Sequence, residues 1–171
     1  MKNQKFTYDP SKHVPFRDKK VLERVRSIKR ENIEDHKNPN FKVQVVPDDD
    51  MGIIMLFDVF HRIKTASDAN EPLVLIMPNP WPHYRMLAHM LNKFKVDCSK
   101  LYTFNMDEYA DQDGNIAPES WEYGFGYAFK KYFYHNLDKA LRPPESQIHT
   151  FTNKNVNDYG KMISDLGEAD M

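Results

Sequence analysis

The sequence has a single cysteine, no long apolar run and almost no net charge. Because Cys98 stands alone, no disulfide bond can form within the chain. No stretch approaches the roughly 20 apolar residues of a membrane-spanning helix, which argues against an integral membrane protein. The formal net charge of −1 argues against a general nucleic-acid binder, because such proteins need a basic surface.

The N-terminus shows no secretory signal, since no apolar run follows the basic residues at positions 1–5. Together with the lone cysteine, this predicts a cytoplasmic protein. Cys98 lies between Asp97 and Ser99, where we expect a small residue at the entrance of a strand rather than a nucleophile.

What remains is the composition of a soluble globular protein. The 171 residues are 40% hydrophobic and 29% charged, enough to close a core of ordinary size. The pattern predicts two parts. Residues 1–50 form an N-terminal arm, a helix and a short strand, and residues 51–171 form an α/β domain.

The N-terminal part is predicted from periodicity. Residues 1–20 have no clear period and indicate an extended arm. Apolar residues at helical spacing predict an amphipathic helix from Val21 to Ile33, and alternation predicts a short strand over Phe41–Val46. Residues 47–50, Pro followed by three Asp, predict a turn with an Asp capping the next helix. A metal site is the weaker interpretation, because contiguous Asp side chains cannot all face one ion without an unusual backbone.

Strands and helices alternate through the rest of the chain, which predicts a Rossmann-like three-layer α/β sandwich with a mostly parallel sheet. The first predicted helix carries a stripe of Ile53, Ile54, Phe57, Phe60 and Ile63, with His61 packed beside it. The first predicted strand is uninterrupted and apolar, as in a central parallel strand buried on both faces. The predicted elements are a helix over 51–66, a strand over 73–77, a helix over 82–95, a strand from 101, a helix from Pro118, a strand over 147–151 and a helix over 155–166.

Two adjacent acids follow the strand that begins at Leu101. Side chains of successive strand residues point in opposite directions, so one of Asp107 and Glu108 can face a pocket while the other ties down structure. A carboxyl group beside apolar Phe104 and Met106 is partly desolvated. This raises its pKa toward the range that is useful for moving protons.

These residues also carry a family resemblance. The segment 104–109, Phe-Asn-Met-Asp-Glu-Tyr, with Pro-Glu-Ser at 118–120, resembles the active-site segment of the glucosamine-6-phosphate deaminase/isomerase family. An Arg in place of Tyr109 would instead resemble the related 6-phosphogluconolactonases. The resemblance implies that Asp107 shuttles a proton between C2 and C1 on one face of the enediol. It implies fructose 6-phosphate and ammonia as products, with no cofactor.

The resemblance also implies roles for the neighbouring residues. Glu108 and Tyr109 would shape the substrate pocket, and Glu119 and Ser120 would position the helix beside it. We expect a small-molecule sugar or sugar phosphate as the ligand.

The loop after the first strand departs from the family. The resemblance implies a Gly-rich, phosphate-binding loop with Ser and Thr hydroxyls at this position. Residues 77–82 of this sequence are instead Met-Pro-Asn-Pro-Trp-Pro. Each proline lacks an N–H donor, so the loop has three fewer groups that could bind a phosphate. Asn79, Trp81, His83 and Arg85 are the candidate contacts to a phosphate or a sugar hydroxyl edge, although Trp81 is equally suited to plugging the loop onto the core.

The acidic loop after Tyr109 only imitates a calcium site. Asp111, Asp113 and Asn115 have the spacing of calcium ligands, but Ile116 stands where the turn glycine is needed. Asp-Gly-Asn is explained as a turn, and no metal is predicted.

Three functions stay open from the sequence. The first is an aldose–ketose isomerase/deaminase for an amino sugar, the second a lactone hydrolase of the same fold, and the third a non-catalytic sugar-binding or assembly module. The family's later Gly-His segment, which supplies a ring-opening histidine, has no counterpart, so we expect the chain to be incomplete at its C-terminus. The aromatic face predicted for residues 118–140 suggests a homo-oligomer.

Overall fold

The fold is built on three short parallel strands, β1 (Leu73–Met77), β2 (Leu101–Asn105) and β3 (Ile148–His149). A computed structural model describes residues 17–171, and its contacts divide the chain after Pro47. The strands lie in the order β1-β2-β3, with Leu73 opposite Leu101 and Thr103 opposite Ile148. Parallel strands in chain order need crossover connections, and the helices between them supply these.

Helices cover both faces of the sheet, which gives the three layers that the sequence predicts. One face packs against α2 (Asp48–Ala69), α3 (Tyr84–Lys93) and α4 (Phe125–Tyr132), and the other against α5 (Tyr159–Ser164). The strand residues alternate between these layers. The first face buries a large core, and the second a smaller one of Val74, Phe104 and Tyr159. The α/β Rossmann-like fold class is therefore confirmed.

Strand β1 matches its predicted bounds and is flanked on both edges. On one edge it pairs with β2. On the other, Asp170 N donates to Val74 O and Ile76 N to Met171 O, both at 2.8 Å. The main chain of residues 170–171 therefore runs along β1, and its burial on both faces follows from this central position.

Residues 17–47, the described part before Asp48, contain one α-helix, α1 (Lys19–Arg26). Asp18 caps it by accepting from Lys20 N at 2.9 Å and Val21 N at 3.2 Å. The prediction of a helix reaching Ile33 is wrong, because α1 ends at Arg26 and only a 3₁₀ turn, Arg30–Asn32, follows. The predicted arm lies for the most part outside the described residues.

The predicted strand over Phe41–Val46 is also wrong, since the structure describes these residues and assigns them no strand. Alternation describes one strand and cannot supply the partner that its main-chain groups need. The predicted Asp cap before α2 is corrected too. The helix begins at Asp48, so Asp48, Asp49 and Asp50 occupy its first turn, where the positive end of the helix dipole stabilises acids.

The stripe that helix α2 buries matches the predicted one only in part. Leu56, Val59 and Ile63 face the core, while Ile53, Ile54 and Phe57 are exposed. Ile63 belongs to both sets, and Phe60 of the predicted stripe packs half-buried against the same core. Residue 61, predicted to be a packed histidine, is exposed. Apolar residues occupy several faces of this helix, so periodicity alone does not identify the buried one.

The aromatic helix begins later than predicted. Residues 118–123 form turns, in which Trp121 N donates to Pro118 O and Gly124 N to Trp121 O, each at 2.9 Å. Gly124 is the N-cap of α4, which starts at Phe125. Trp121 therefore lies on the surface, 41% exposed. The last helix is likewise shorter than predicted, because α5 starts at Tyr159 rather than at position 155.

Candidate functional site

The candidate site lies at the carboxyl edge of the sheet, where all three parallel strands end together. Residues 78–83 follow β1, Asp107 and Glu108 follow β2, and Thr150 follows β3. Ligands of open α/β proteins bind at this edge, because loops there are free to vary while the strands fix their starting points. The sequence-predicted acids and the predicted substrate loop are thus brought to one edge.

Glu108 is committed to structure. Its Oε1 accepts from Phe125 N at 3.0 Å and from Tyr109 N at 2.9 Å, and its Oε2 accepts from Gly126 N at 2.7 Å. The carboxylate satisfies backbone donors at the start of α4, where the helix dipole also favours a negative charge. Gly126 leaves room for this contact, because a Cβ there would lie 3.3 Å from Glu108 Oε2.

Asp107 has the opposite character. In residues 17–171 its exposed carboxylate has no hydrogen-bond or ion-pair partner. Partial desolvation, and then the neighbouring Glu108 carboxylate, raise the pKa of Asp107. An unpaired carboxylate with a raised pKa is suited to taking up and returning a proton.

The proline loop after β1 is held by hydrogen bonds within the segment and by packing against the core. Asn79 Nδ2 donates to Met77 O at 3.2 Å, and the Tyr84 hydroxyl donates to the Pro78 carbonyl and lies 3.3 Å from Asn79 Oδ1. Trp81 is only 8% exposed and meets the Tyr84 ring edge-on, with centroids 5.3 Å apart. The Trp81 side chain therefore plugs the loop onto the core.

The Tyr84 hydroxyl, which contacts this loop, also feels the charge of the acid at the end of β2. Burial, and then the charge of Asp107, raise the pKa of the Tyr84 hydroxyl far above its usual value, so it stays protonated and acts as a donor. His83 is half-buried, its ring centroid lies 5.7 Å from that of Trp81, and its Nδ1 is buried without a partner among the described residues.

Arg85 turns toward α4. Its guanidinium carbon lies 4.7 Å from the centroid of the Tyr132 ring, a cation–π contact. Arg85 itself is exposed. The structure thus places Asn79, Trp81 and His83 in the loop at the sheet edge, and Arg85 on α3 against Tyr132 of α4.

Glu119 belongs to a partly buried ionic network. It accepts from Lys130 Nζ at 2.8 Å and from the Thr150 hydroxyl, and Lys130 also pairs with Glu145 at 2.9 Å. Desolvation alone favours the neutral acid, but the hydrogen bonds from Lys130 and Thr150 and the Lys130 charge hold the pKa of Glu119 below its usual value. Ser120 lies next to this network and is exposed.

Tyr109 lies on an exposed aromatic surface beside the acids. Its ring meets Trp121 edge-on with centroids 5.6 Å apart and lies 4.6 Å from Phe125. A shallow groove runs along Tyr109 and Trp121. The neighbouring acidic loop is an Asx turn, in which Asp111 Oδ1 accepts from Asp113 N and Asn115 N at 2.9 and 2.8 Å.

Asn105 and Thr103 are buried polar residues that the sequence pattern did not single out. They lie on β2 with 1% and 0% exposure, and no partner reaches Asn105 Nδ2, Asn105 Oδ1 or Thr103 Oγ1 within the described chain. A polar residue at alternate positions of an otherwise apolar strand was the available signal. The environment of Cys98 does not suit a nucleophile, since burial and then Asp97 raise the pKa of the thiol to about 12.

Comparisons with known proteins fit this arrangement. No protein-family model matches the chain. The chain is 33% identical over 88 residues to the glucosamine-6-phosphate deaminase of Staphylococcus saprophyticus, which covers 52% of the chain and 36% of the relative. It also matches the structure of a monomeric glucosamine-6-phosphate deaminase, described as a missing link of the NagB superfamily. That match has a TM-score of 0.52 and 18% identity, and covers 67% of this chain and 48% of the other.

The family resemblance is therefore confirmed in sequence over half of the chain and in fold over two thirds. The matched region spans 36% of the curated relative and about half of the solved one. Among the described helices, none is long and apolar enough to cross a bilayer.

Proposed function

We propose that this chain, similar in sequence and fold to glucosamine-6-phosphate deaminases, carries the proton-transfer part of an amino-sugar isomerase/deaminase site. Asp107 is the base that moves the proton between C2 and C1 of the open-chain sugar. The ligand is a small amino sugar; the names of the two relatives refer to the 6-phosphate form of such a sugar. A cytoplasmic location and self-association remain predictions from the sequence.

The chemistry needs one base on one face of the sugar. Asp107 takes the C2 proton of a 2-amino aldose, the C2–H electron pair forms the C1–C2 double bond, and the C1 oxygen takes a proton from solvent. Asp107 then returns its proton to C1, and the nitrogen lone pair forms a C2 iminium. Water adds to C2, ammonia leaves, and the released proton balances the one taken by O1, so the products are a ketose and ammonia.

The single observation that carries the proposal is the difference in hydrogen bonding between the adjacent acids Asp107 and Glu108. Glu108 accepts three backbone N–H groups, whereas Asp107 is unpaired within the described chain and its pKa is raised by desolvation and by Glu108. A structural acid does not need a raised pKa or a free carboxylate, but a proton shuttle needs both.

The test is proton NMR of the chain with glucosamine 6-phosphate and with glucosamine in deuterated water. We expect ammonium to be released and deuterium to appear at C1 of the ketose, because the exposed Asp107 carboxyl exchanges its proton with solvent before returning it. Asp107→Asn should abolish both while the proton resonances of the sugar still broaden. Asp113→Asn is the matched control, because Asp113 is an exposed acid of the neighbouring loop and should leave exchange unchanged. Exchange that persists in Asp107→Asn would remove Asp107 from this role.

A non-catalytic sugar-binding module is the second candidate. The observation that favours it is that Asn79, a predicted substrate contact, uses its amide N–H within the protein, where it donates to Met77 O. It predicts line broadening without exchange in the wild type. A lactone hydrolase is disfavoured by Tyr109, and would release acid from a sugar lactone without ammonia.

A further inference from the structure

We infer that the sugar bound at this site carries no phosphate: the loop that follows β1 excludes a phosphate dianion and favours a protonated, unphosphorylated hexosamine. The inference rests on the proposed function, because it names the substrate class of the same site. Four features carry it: the backbone of the loop, its side chains, the position of Arg85, and the acids Asp48, Asp49 and Asp107.

The backbone of the loop offers few donors. Phosphate sites at the junction of a strand and a helix are built from consecutive backbone N–H groups that point at the ligand. Pro78, Pro80 and Pro82 have no N–H, so no two consecutive residues from 78 to 82 can both donate. The Tyr84 N–H points back to Trp81 O at 3.4 Å. A continuous cradle of amides cannot form here.

The polar side chains of Asn79 and Tyr84 at the loop already have hydrogen-bond partners within the protein. The Asn79 amide donates to Met77 O, and the Tyr84 hydroxyl donates to Pro78 O. Trp81 is buried against Tyr84. These groups hold the loop closed on itself. Binding a phosphate through them would break contacts that keep the loop in place.

No basic side chain of the loop compensates for the missing amides. Residues 78–83 contain no Lys or Arg, and Arg85 is stacked on Tyr132 at 4.7 Å. His83 packs its ring against the N-terminal part of α2, since a Cβ on Gly52 would lie 2.6 Å from His83 Cε1. The sugar-facing loop therefore lacks the bidentate Arg or the Lys that usually neutralises a phosphate.

The charge near the loop is negative. Asp48 and Asp49 lie four and three residues before Gly52 in α2, and residues at these spacings share a helix face. The Gly52 contact brings this end of α2 to His83, and Asp107 stands at the same sheet edge. The first turn of α3 still presents N–H groups, but these acids oppose its weak positive potential toward an anion. The same acids attract the ammonium group of an amino sugar.

The experiment measures the affinity of the chain for glucosamine and for glucosamine 6-phosphate by titration calorimetry at low salt, with inorganic phosphate as a third probe. We expect glucosamine to bind at least about tenfold more tightly than its 6-phosphate, the size of effect that one or two like charges produce. Inorganic phosphate should not compete.

Three variants make the test specific. Neutralising the helix acids in Asp48→Asn/Asp49→Asn should narrow the preference for the unphosphorylated sugar, whereas the control Asp113→Asn should leave it unchanged. Arg85→Ala should affect both sugars equally. A selective loss of the phosphorylated sugar in Arg85→Ala would overturn the inference, because it would show that Arg85 leaves Tyr132 to hold a phosphate.

The two levels of proposal fail differently. Suppose that glucosamine 6-phosphate binds more tightly than glucosamine and that deuterium exchange depends on Asp107. The inference that the loop excludes phosphate is then wrong, and the proposed function stands. Absence of binding by either sugar removes the proposed function and the inference with it.

Discussion

Two buried threonines, one within β2 and one directly after β3, differ in whether the hydroxyl has a partner. Thr103 and Thr150 are both buried, at 0% and 4% exposure. The Thr150 hydroxyl donates to Glu119, whereas no partner reaches that of Thr103 in residues 17–171. A buried polar group without a partner costs its desolvation free energy, and one with a partner recovers it.

Replacing these two threonines by valine should therefore change stability in opposite directions. Thr103→Val removes an unpaired hydroxyl without changing side-chain shape, and we expect the free energy of unfolding to rise by about 1 kcal/mol. Thr150→Val leaves Glu119 short of a donor, and a fall of about 1–2 kcal/mol is expected. Urea denaturation at neutral pH measures both. A destabilised Thr103→Val would reveal a partner for this hydroxyl.

Glycines in two helices offer a second matched pair. A Cβ on Gly52 in α2 would lie 2.6 Å from His83 Cε1, whereas one on Gly160 in α5 would meet open space. Alanine in a helix interior is ordinarily better than glycine by about 1 kcal/mol. Gly160→Ala should raise the free energy of unfolding by about this amount, as measured by thermal denaturation. Gly52→Ala should not, and should shift the His83 ring resonances, because the ring has to move.

At the scale of the element, one carboxylate fixes where α4 begins. Proline at 118 is a favourable first helical residue, and the aromatic spacing continues through 121 and 125, so the sequence favours a helix from Pro118. In the fold, Glu108 reaches across from the end of β2 and satisfies Phe125 N and Gly126 N. This tertiary contact outweighs the local signal.

Removing that carboxylate should loosen α4. We expect Glu108→Ala to lower the free energy of unfolding by about 1–2 kcal/mol, the usual loss when a helix start loses its acceptor. Asp107→Asn is the control for stability. Because the folded-state pKa of Asp107 is raised, its charge opposes folding at neutral pH, and neutralising it should leave stability unchanged or slightly higher. Faster amide exchange at Phe125 and Gly126 in Glu108→Ala alone would confirm the location.

The strands and the two acids could be predicted from sequence because their signals are local. An apolar run of strand length identifies β1, and a β-prone run broken by acids identifies the end of β2. The buried stripe of α2 could not, since its exposed Ile53 and Phe57 are as apolar as its buried Leu56. Which acid of the pair is free could not be predicted either, because that depends on α4 reaching Glu108.

At the scale of the whole molecule, the Glu119 network ties together segments that are distant in sequence. Lys130 of α4 pairs with Glu119 in the turns before that helix and with Glu145 before β3, and Thr150 joins from the end of β3. The Lys130 side chain is 17% exposed, so losing a partner leaves its charge poorly solvated. Protonation of these carboxylates at low pH should therefore weaken the contacts between α4 and the segments on either side of β3.

The sign of the pH dependence follows from the pKa of Glu119. Desolvation favours the neutral form, but the hydrogen bonds from Lys130 and Thr150 and the Lys130 charge hold its pKa below the usual value. A folded-state pKa that is lowered gives stability that is present above the unfolded pKa and is lost as the pH falls through the folded one. The expected window therefore opens below about pH 5 and extends downward.

We expect urea midpoints of the wild type to fall steeply in this window, and Glu119→Gln to start lower at pH 7 and depend less on pH. Glu122→Gln is the control, since Glu122 is exposed and has no hydrogen-bond or ion-pair partner in residues 17–171. It should track the wild type throughout. If the urea midpoints of Glu119→Gln and of the wild type fall equally as the pH is lowered, other carboxylates drive acid unfolding.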